Sequence, residues 1–159
     1  MIAVGDKLPA GTLFKIGDAG PETIDAADYF GAGKVVLFSV PGAFTPTCSA
    51  KHLPGFIEKE AELKAKGVDK IACFAVNDPF VMKTWGEQQG ADAKVDMLSD
   101  GNGEYTEALG LTMDGSKFGL GTRSQRFALV AEGGTVTGLY VEAPGAFEVS
   151  SAEAVLATL

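Results

Sequence analysis

The stretch from Val35 to Phe56, VVLFSVPGAFTPTCSAKHLPGF, constrains this chain more than any other. Its apolar opening, Val35 to Val40, reads as a buried strand. A loop follows, Pro41-Gly42-Ala43-Phe44-Thr45-Pro46-Thr47, and from Cys48 on the residues suit a helix. A cysteine therefore stands where the chain leaves a strand end and enters a helix. The first backbone N–H groups of a helix lack intrahelical partners, and that end of the macrodipole is positive. Both favour a thiolate, the nucleophilic form of cysteine. This placement points to Cys48 as an activated nucleophile. The alternative is a small, buried and inert thiol. The neighbours Thr45, Pro46, Thr47 and Ser49 do not form an apolar run, which favours the reactive reading.

The polar residues around Cys48 have two readings each. Thr45, Thr47 and Ser49 are capping residues, or hydroxyls that bind a thiolate or a substrate oxygen. Pro41 and Pro46 punctuate the loop, or stiffen it into a pre-organised and shielded site. His52, four residues after Cys48, shares its face on a continuous helix. That allows a Cys–His pair or two metal ligands, though two are too few for zinc. A positioned or surface histidine is the other reading. Arg123 and Arg126 precede the run FALVA. They are solvated flanks, or one of them reaches a thiolate as a permanent cation with several donors. Sequence order alone does not choose between them. Cys73 lies inside the apolar run IACFAV and reads as an inert core thiol. Its other reading is a resolving thiol that forms a disulfide with oxidised Cys48.

In chain order, Thr12 to Ile16 and Glu22 to Asp25 are short strands of an edge hairpin, and Ala26 to Phe30 one helical turn. Lys34 to Val40 is the central strand. One or two helical turns run from Cys48 to Leu53, and a longer helix to about Lys66, since Pro54 starts or kinks a helix but does not sit inside one. Gly67 stops it. Ile71 to Val76 is a strand, and Asn77-Asp78-Pro79 caps a helix reaching Gln89. Val95 to Ser99 is a strand, Glu104 to Leu109 a helix, and Thr112 to Ser124 a glycine-rich loop. Phe127 to Ala131 and Val136 to Val141 form a hairpin around Glu132-Gly133-Gly134. Ser151 to Leu159 closes the chain as a helix capped by Ser151. The alternation predicts an α/β fold, a mixed central sheet flanked by helices, with residues 1–159 as a single domain.

The net charge of −8 argues against a nucleic-acid or acidic-membrane partner. No apolar run approaches the roughly 20 residues of a membrane helix. The N-terminus shows no secretory pattern, and two cysteines make no disulfide framework, so a cytoplasmic protein with reduced thiols is expected.

The segment PGAFTPTCSAKHLPGF resembles the active-site segment of the peroxiredoxins, in particular the peroxiredoxin 5 or type II branch. IACFAVNDPFVMKTW, GLGTRSQRFALV and VEAPGAFEVSSAEAVL resemble the same branch, in order and at suitable spacing. The resemblance implies a thioredoxin-like fold and thiol peroxidase activity without a cofactor or metal. By it, Cys48 is the peroxidatic cysteine, Thr45 holds the peroxide, Pro41 shields the site and Arg126 stabilises the thiolate and the transition state. Substrates would be hydrogen peroxide and alkyl hydroperoxides. Recycling would use glutaredoxin with glutathione, or thioredoxin, and the protein would be a homodimer. The loops around Pro41 to Thr47 and Asp78 to Phe80 are candidates for its contact surface. Some members carry a resolving cysteine near the C-terminus; Val141 to Ala152 has none here. That leaves Cys73 as resolving thiol or a one-cysteine cycle, and burial of Cys73 favours the latter. A thiol–disulfide oxidoreductase would normally carry C-x-x-C, which is absent. A redox sensor switched by Cys48 oxidation is the reading from a different class.

Overall fold

The computed structural model describes residues 1–159. An edge hairpin comes first, β1 (Thr12–Gly17) and β2 (Gly20–Asp25), followed by α1 (Ala26–Gly31) and β3 (Lys34–Ser39). A π-helical turn, Cys48–His52, leads into α2 (Leu53–Glu58) and α3 (Glu60–Ala65). Next are β4 (Lys70–Ala75), α4 (Pro79–Gln89), β5 (Asp96–Ser99) and α5 (Glu104–Leu109). The chain ends with β6 (Thr112–Asp114), a 3₁₀ turn (Ser116–Phe118), β7 (Thr122–Ser124), β8 (Phe127–Glu132), β9 (Thr135–Val141) and α6 (Ala152–Leu156).

Seven strands form one mixed sheet in the order β2-β1-β5-β4-β3-β8-β9. β3 pairs in parallel with β4, and β4 with β5. Each of these pairs is bridged by a helical crossover, as parallel pairing requires. β3 pairs antiparallel with β8, and β8 with β9. The β8–β9 turn is Gly133-Gly134, with φ of +59° and +83°. Left-handed backbone at both turn positions suits a tight hairpin and favours glycine.

The unbroken apolar character of β3 has a simple cause: both of its faces are covered. Val36 and Phe38 point into a layer with Cys48, Leu53, Phe56, Trp85 and Val155. Val35 and Leu37 point into the opposite layer with Phe30, Tyr105 and Leu109. Phe38 stacks on Phe56 with ring centroids 4.1 Å apart. Burying side chains of this size contributes about 1.5–3 kcal/mol each. The site at the end of β3 thus stands on a rigid floor.

Several helix boundaries follow the local signals. Asp78 Oδ1 accepts from the Val81 N–H at 2.9 Å, with Pro79 in the first helical position. Ser151 Oγ accepts from the Ala154 N–H at 3.1 Å. Past α3, the Val68 N–H donates to Leu63 O and the Gly67 N–H to Lys64 O, a Schellman closure with Gly67 at φ +90°.

Four expectations are corrected. The segment Thr112 to Ser124 is not a plain loop, because β6 and β7 pair antiparallel within it. Strands of three residues carry too little alternation to show as a period. The helix expected to reach Lys66 loses regular geometry at Lys59 (φ −94°, ψ 8°), where α2 gives way to α3. The turn at Cys48 is π-helical: the Leu53 N–H donates to the Cys48 carbonyl, five residues back. Pro54 explains this, since it has no N–H for the Ala50 carbonyl and the α ladder cannot pass through it unbroken. The closing helix is also shorter than Ser151 to Leu159, covering only Ala152–Leu156.

Candidate active site

The loop from Pro41 to Thr47 is held from three sides. The Ala43 N–H donates to Asn77 Oδ1 at 2.9 Å. Arg123 Nη1 donates to the Pro41 carbonyl at 3.2 Å, and its Nε to the Leu120 carbonyl at 2.9 Å. Thr45 Oγ1 donates to the Gly42 carbonyl at 2.7 Å. Gly42 is packed tightly: a Cβ there would lie 3.0 Å from Arg123 Nη1. Phe44 sits at φ +63°, a conformation that costs a bulky residue of order 1–3 kcal/mol and persists only where the surroundings enforce it. Pro46 and Thr47 are already helical. The first intrahelical bond runs from the Ser49 N–H to the Thr45 carbonyl at 3.0 Å, so Cys48 lies in the first turn.

Cys48 is 0% exposed. Arg126 Nη2 donates to its Sγ at 3.1 Å, and Arg126 Nη1 donates to His52 Nδ1 at 2.8 Å. On its far side the His52 ring meets the Ser150 carbonyl at 2.9 Å through Nε2. The tautomer follows from chemistry. Guanidinium only donates, so Nδ1 carries no proton; a carbonyl only accepts, so Nε2 carries one. His52 is neutral. Burial pushes its pKa down to about 3, aided by the charge of Arg126 and opposed by the Ser150 carbonyl and the Glu142 carboxylate. The sequence reading allowed a direct Cys48–His52 pair or two metal ligands. The structure instead puts Arg126 between them, because the π turn and the sheet bring the guanidinium to both. His52 is a buried, positioned residue.

Of the two arginines, Arg126 reaches the thiol and Arg123 braces the loop. Thr47 and Ser49 do not cap the turn: Thr47 makes no side-chain capping bond, and Ser49 Oγ accepts from Trp85 Nε1 at 3.0 Å. A cleft of about 350 Å³ opens beside the thiol, walled by Pro41, Thr47, Met113, Arg126, Glu142 and Pro144 among others. The thiol itself is shielded from bulk water. Cys73, in β4 opposite Phe38, belongs to the same buried layer as Cys48 and is also 0% exposed. Burial pushes its thiol pKa well up, with the charge of Cys48 adding to the effect and Arg126 opposing it. Both cysteines are free thiols. No cluster of three or more metal-ligating side chains is present.

Sequence reasoning did not identify Ser150, Glu142, Phe147, Asn77 or Trp85 as parts of the site. Nothing local marks them, since each is distant in the chain and reaches the cysteine loop, its turn or its partners only once the chain has folded. The one visible hint was Pro54, which signals an irregular turn directly after Cys48.

A cysteine thus lies in the first helical turn, bonded by a guanidinium and next to a proline-containing loop. The Redoxin family profile matches residues 3–156. Peroxiredoxin-2B of Arabidopsis thaliana is 53% identical over 99% of this chain and 98% of its own. The chain belongs to the redoxin family, in its peroxiredoxin branch. Peroxiredoxin-2E-2, chloroplastic, of Oryza sativa subsp. japonica is 58% identical, covering 99% of this chain and 72% of that one. Reduced Prx3 from Vibrio vulnificus, solved in complex with hydrogen peroxide, superposes with a TM-score of 0.96 at 54% identity, over 99% of both chains. Peroxiredoxin 5 from Alvinella pompejana superposes at 0.88 with 34% identity, over 99% and 97%. The fold of this peroxiredoxin is thioredoxin-like, and its activity is that of a thiol peroxidase.

Proposed function

We propose that peroxidase turnover runs on Cys48, with Arg126, Thr45 and Pro41 shaping the reaction. The observation that carries this reading is the 3.1 Å bond from Arg126 Nη2 to Cys48 Sγ. The thiolate attacks one oxygen of a hydroperoxide, the S–O bond forms, and the O–O bond breaks. Sulfur is oxidised to sulfenic acid, and the leaving oxygen departs as hydroxide or alkoxide and takes a proton to become water or alcohol. Arg126 meets negative charge where it develops, on the sulfur and then on the oxygens. Thr45 already gives its hydroxyl proton to the Gly42 carbonyl, so its oxygen is free to accept the peroxide O–H and aim the other oxygen at sulfur. Pro41 forms a wall of the cleft and carries no N–H that would solvate the sulfur.

As substrates we propose hydrogen peroxide and alkyl hydroperoxides. Prx3 from Vibrio vulnificus, solved with hydrogen peroxide, supports the first of these. For recycling we propose glutaredoxin with glutathione, or thioredoxin, attacking the sulfenic acid directly in a one-cysteine cycle. Cys73 is a poor partner: its thiol is fully buried and held protonated, so resolution by it requires β4 to loosen. A reducing compartment such as the cytoplasm suits this chemistry, and two plant relatives carry the word chloroplastic in their names. A homodimer is proposed with the loops at Phe44 and Phe80 in its contact. Support comes from their exposure, 48% and 61%, with Phe44 beside Trp85 of α4, whose first turn carries Phe80.

The deciding experiment is intact-protein mass spectrometry after one equivalent of hydrogen peroxide. A gain of one oxygen on Cys48 supports the one-cysteine cycle. A loss of two hydrogens, mapped to Cys48 and Cys73, overturns that cycle but not the role of Cys48. Oxidation mapped elsewhere overturns the site.

A further inference from the structure

The segment after β9 is fastened in an unusual way. Glu142, at the end of β9, is 7% exposed. Its Oε2 alone accepts four hydrogen bonds: from the N–H groups of Glu148 (2.8 Å), Val149 (2.9 Å) and Ser150 (2.8 Å), and from Ser150 Oγ (2.7 Å). Charge-assisted bonds of this kind are about twice as strong as neutral ones. Burial alone would raise the pKa of this carboxyl, but the bonds from Ser150, Glu148 and Val149 outweigh it and hold the group below its usual range. The clamp fixes the residue whose carbonyl holds His52. It also fixes the approach of Phe147, which lies edge-on to the His52 ring at 5.0 Å and under the Arg126 guanidinium at 5.8 Å. Finally, the Glu142 N–H donates to the Arg126 carbonyl at 3.0 Å, so main chain and relay converge on one arginine.

We propose that Glu142 is a positioning residue for the peroxidase: by clamping residues 148–150 it sets the Ser150–His52–Arg126 relay that aims Nη2 at Cys48 Sγ. The inference rests on the assignment of Cys48 and Arg126 made above. A loose arginine still carries its charge. What it loses is the fork geometry, one arm on His52 and one on sulfur, and small displacements of catalytic groups cost rate steeply. The groups around the His52 ring are Arg126, the Glu142 charge, and the rings of Phe38, Phe56 and Phe147.

His52 is the only histidine of the chain, so its ring ¹⁵N resonances need no assignment. In the parent protein they are expected to show the Nε2–H tautomer, with titration pushed down to about pH 3. Glu142→Ala is expected to mix the tautomers; loss of the carboxylate charge by itself pushes the His52 pKa further down, so a titration that moves up toward the ordinary range reports the loosened relay and the wetter ring. The second-order rate of oxidation by hydrogen peroxide is expected to fall about 10- to 100-fold. A folded Glu142→Ala with unchanged His52 signals and unchanged rate, whatever its melting temperature, reduces Glu142 to a loop staple and overturns the proposal. Should Glu142→Ala fail to fold, Glu142→Gln, which keeps the shape and loses the charge, is read by the same two measurements. Cys48→Ser and Arg126→Leu run beside it. If they retain peroxidase activity, the site assignment fails; if they lose it while the Glu142 variants do not, only the relay fails.

Discussion

Cys48 and Cys73 lie in the same buried layer, both without solvent exposure, yet the structure treats them oppositely. Cys73 sits mid-strand, its backbone spent on the ladder to β3 and β5, with apolar neighbours around its sulfur. Its thiol is pushed toward the protonated form by burial. Cys48 is buried just as completely but begins a helical turn and receives a guanidinium N–H. Burial does not decide whether a thiol is reactive. What decides is whether donors are supplied to replace the water that burial removes.

The sharpest way to break this comparison is to exchange the sulfurs one at a time. Cys48→Ser is expected to lower peroxide turnover at least about 10³-fold, read as peroxide consumed in excess over protein with a reducing thiol present. Turnover that survives would sink the account. Arg126→Leu removes the donor that distinguishes the two sites and is expected to cost about 10²–10³-fold in oxidation rate. A rate equal to that of Arg123→Leu would show that loop bracing alone matters.

Smaller effects sharpen the contrast. The neutral state of His52 belongs to the Cys48 surroundings and has no counterpart at Cys73. Its pKa, about 3 in the fold against 6.5 in the unfolded chain, means that only the unfolded chain takes up this proton between those values. Stability from His52 is therefore full above pH 6.5 and declines as pH falls toward 3, at up to about 1.4 kcal/mol per pH unit. Between pH 7 and 5, His52→Gln should lose about 2 kcal/mol less stability than the parent in denaturant titrations. Parallel curves would mean that the ring protonates in place. The smallest effect is expected from Cys73→Ala: about 1 kcal/mol of stability for the lost sulfur, with turnover by a glutaredoxin and glutathione system retained. Loss of that turnover would make Cys73 part of the cycle.

The setting of Cys48, at a strand end entering a helical turn, was legible because its signals are local. The apolar strand, the loop prolines, Thr45 and Cys48 fall within one short stretch, where spacing fixes geometry. The β8–β9 hairpin, the Asp78 cap and the Gly67 stop were legible for the same reason. The π turn was half-legible, since Pro54 announces a defect but not its form. The choice between Arg123 and Arg126 was not legible from order. They are three positions apart, and which one faces the sulfur depends on the β6–β7 ribbon that holds Arg123 against the Pro41 carbonyl.

By itself, then, the sequence determined a buried strand delivering a cysteine to a helix start, and a layered fold around it. Tertiary structure alone decided that His52 serves Arg126 rather than Cys48, and that Ser150, 98 positions away, holds the ring. The physical reason is the reach of the forces involved. Turns, caps and periodicity act over a few residues, whereas a carboxylate clamp, a histidine and a guanidinium meet only after the sheet has fixed its order, β4 beside β3 beside β8 beside β9.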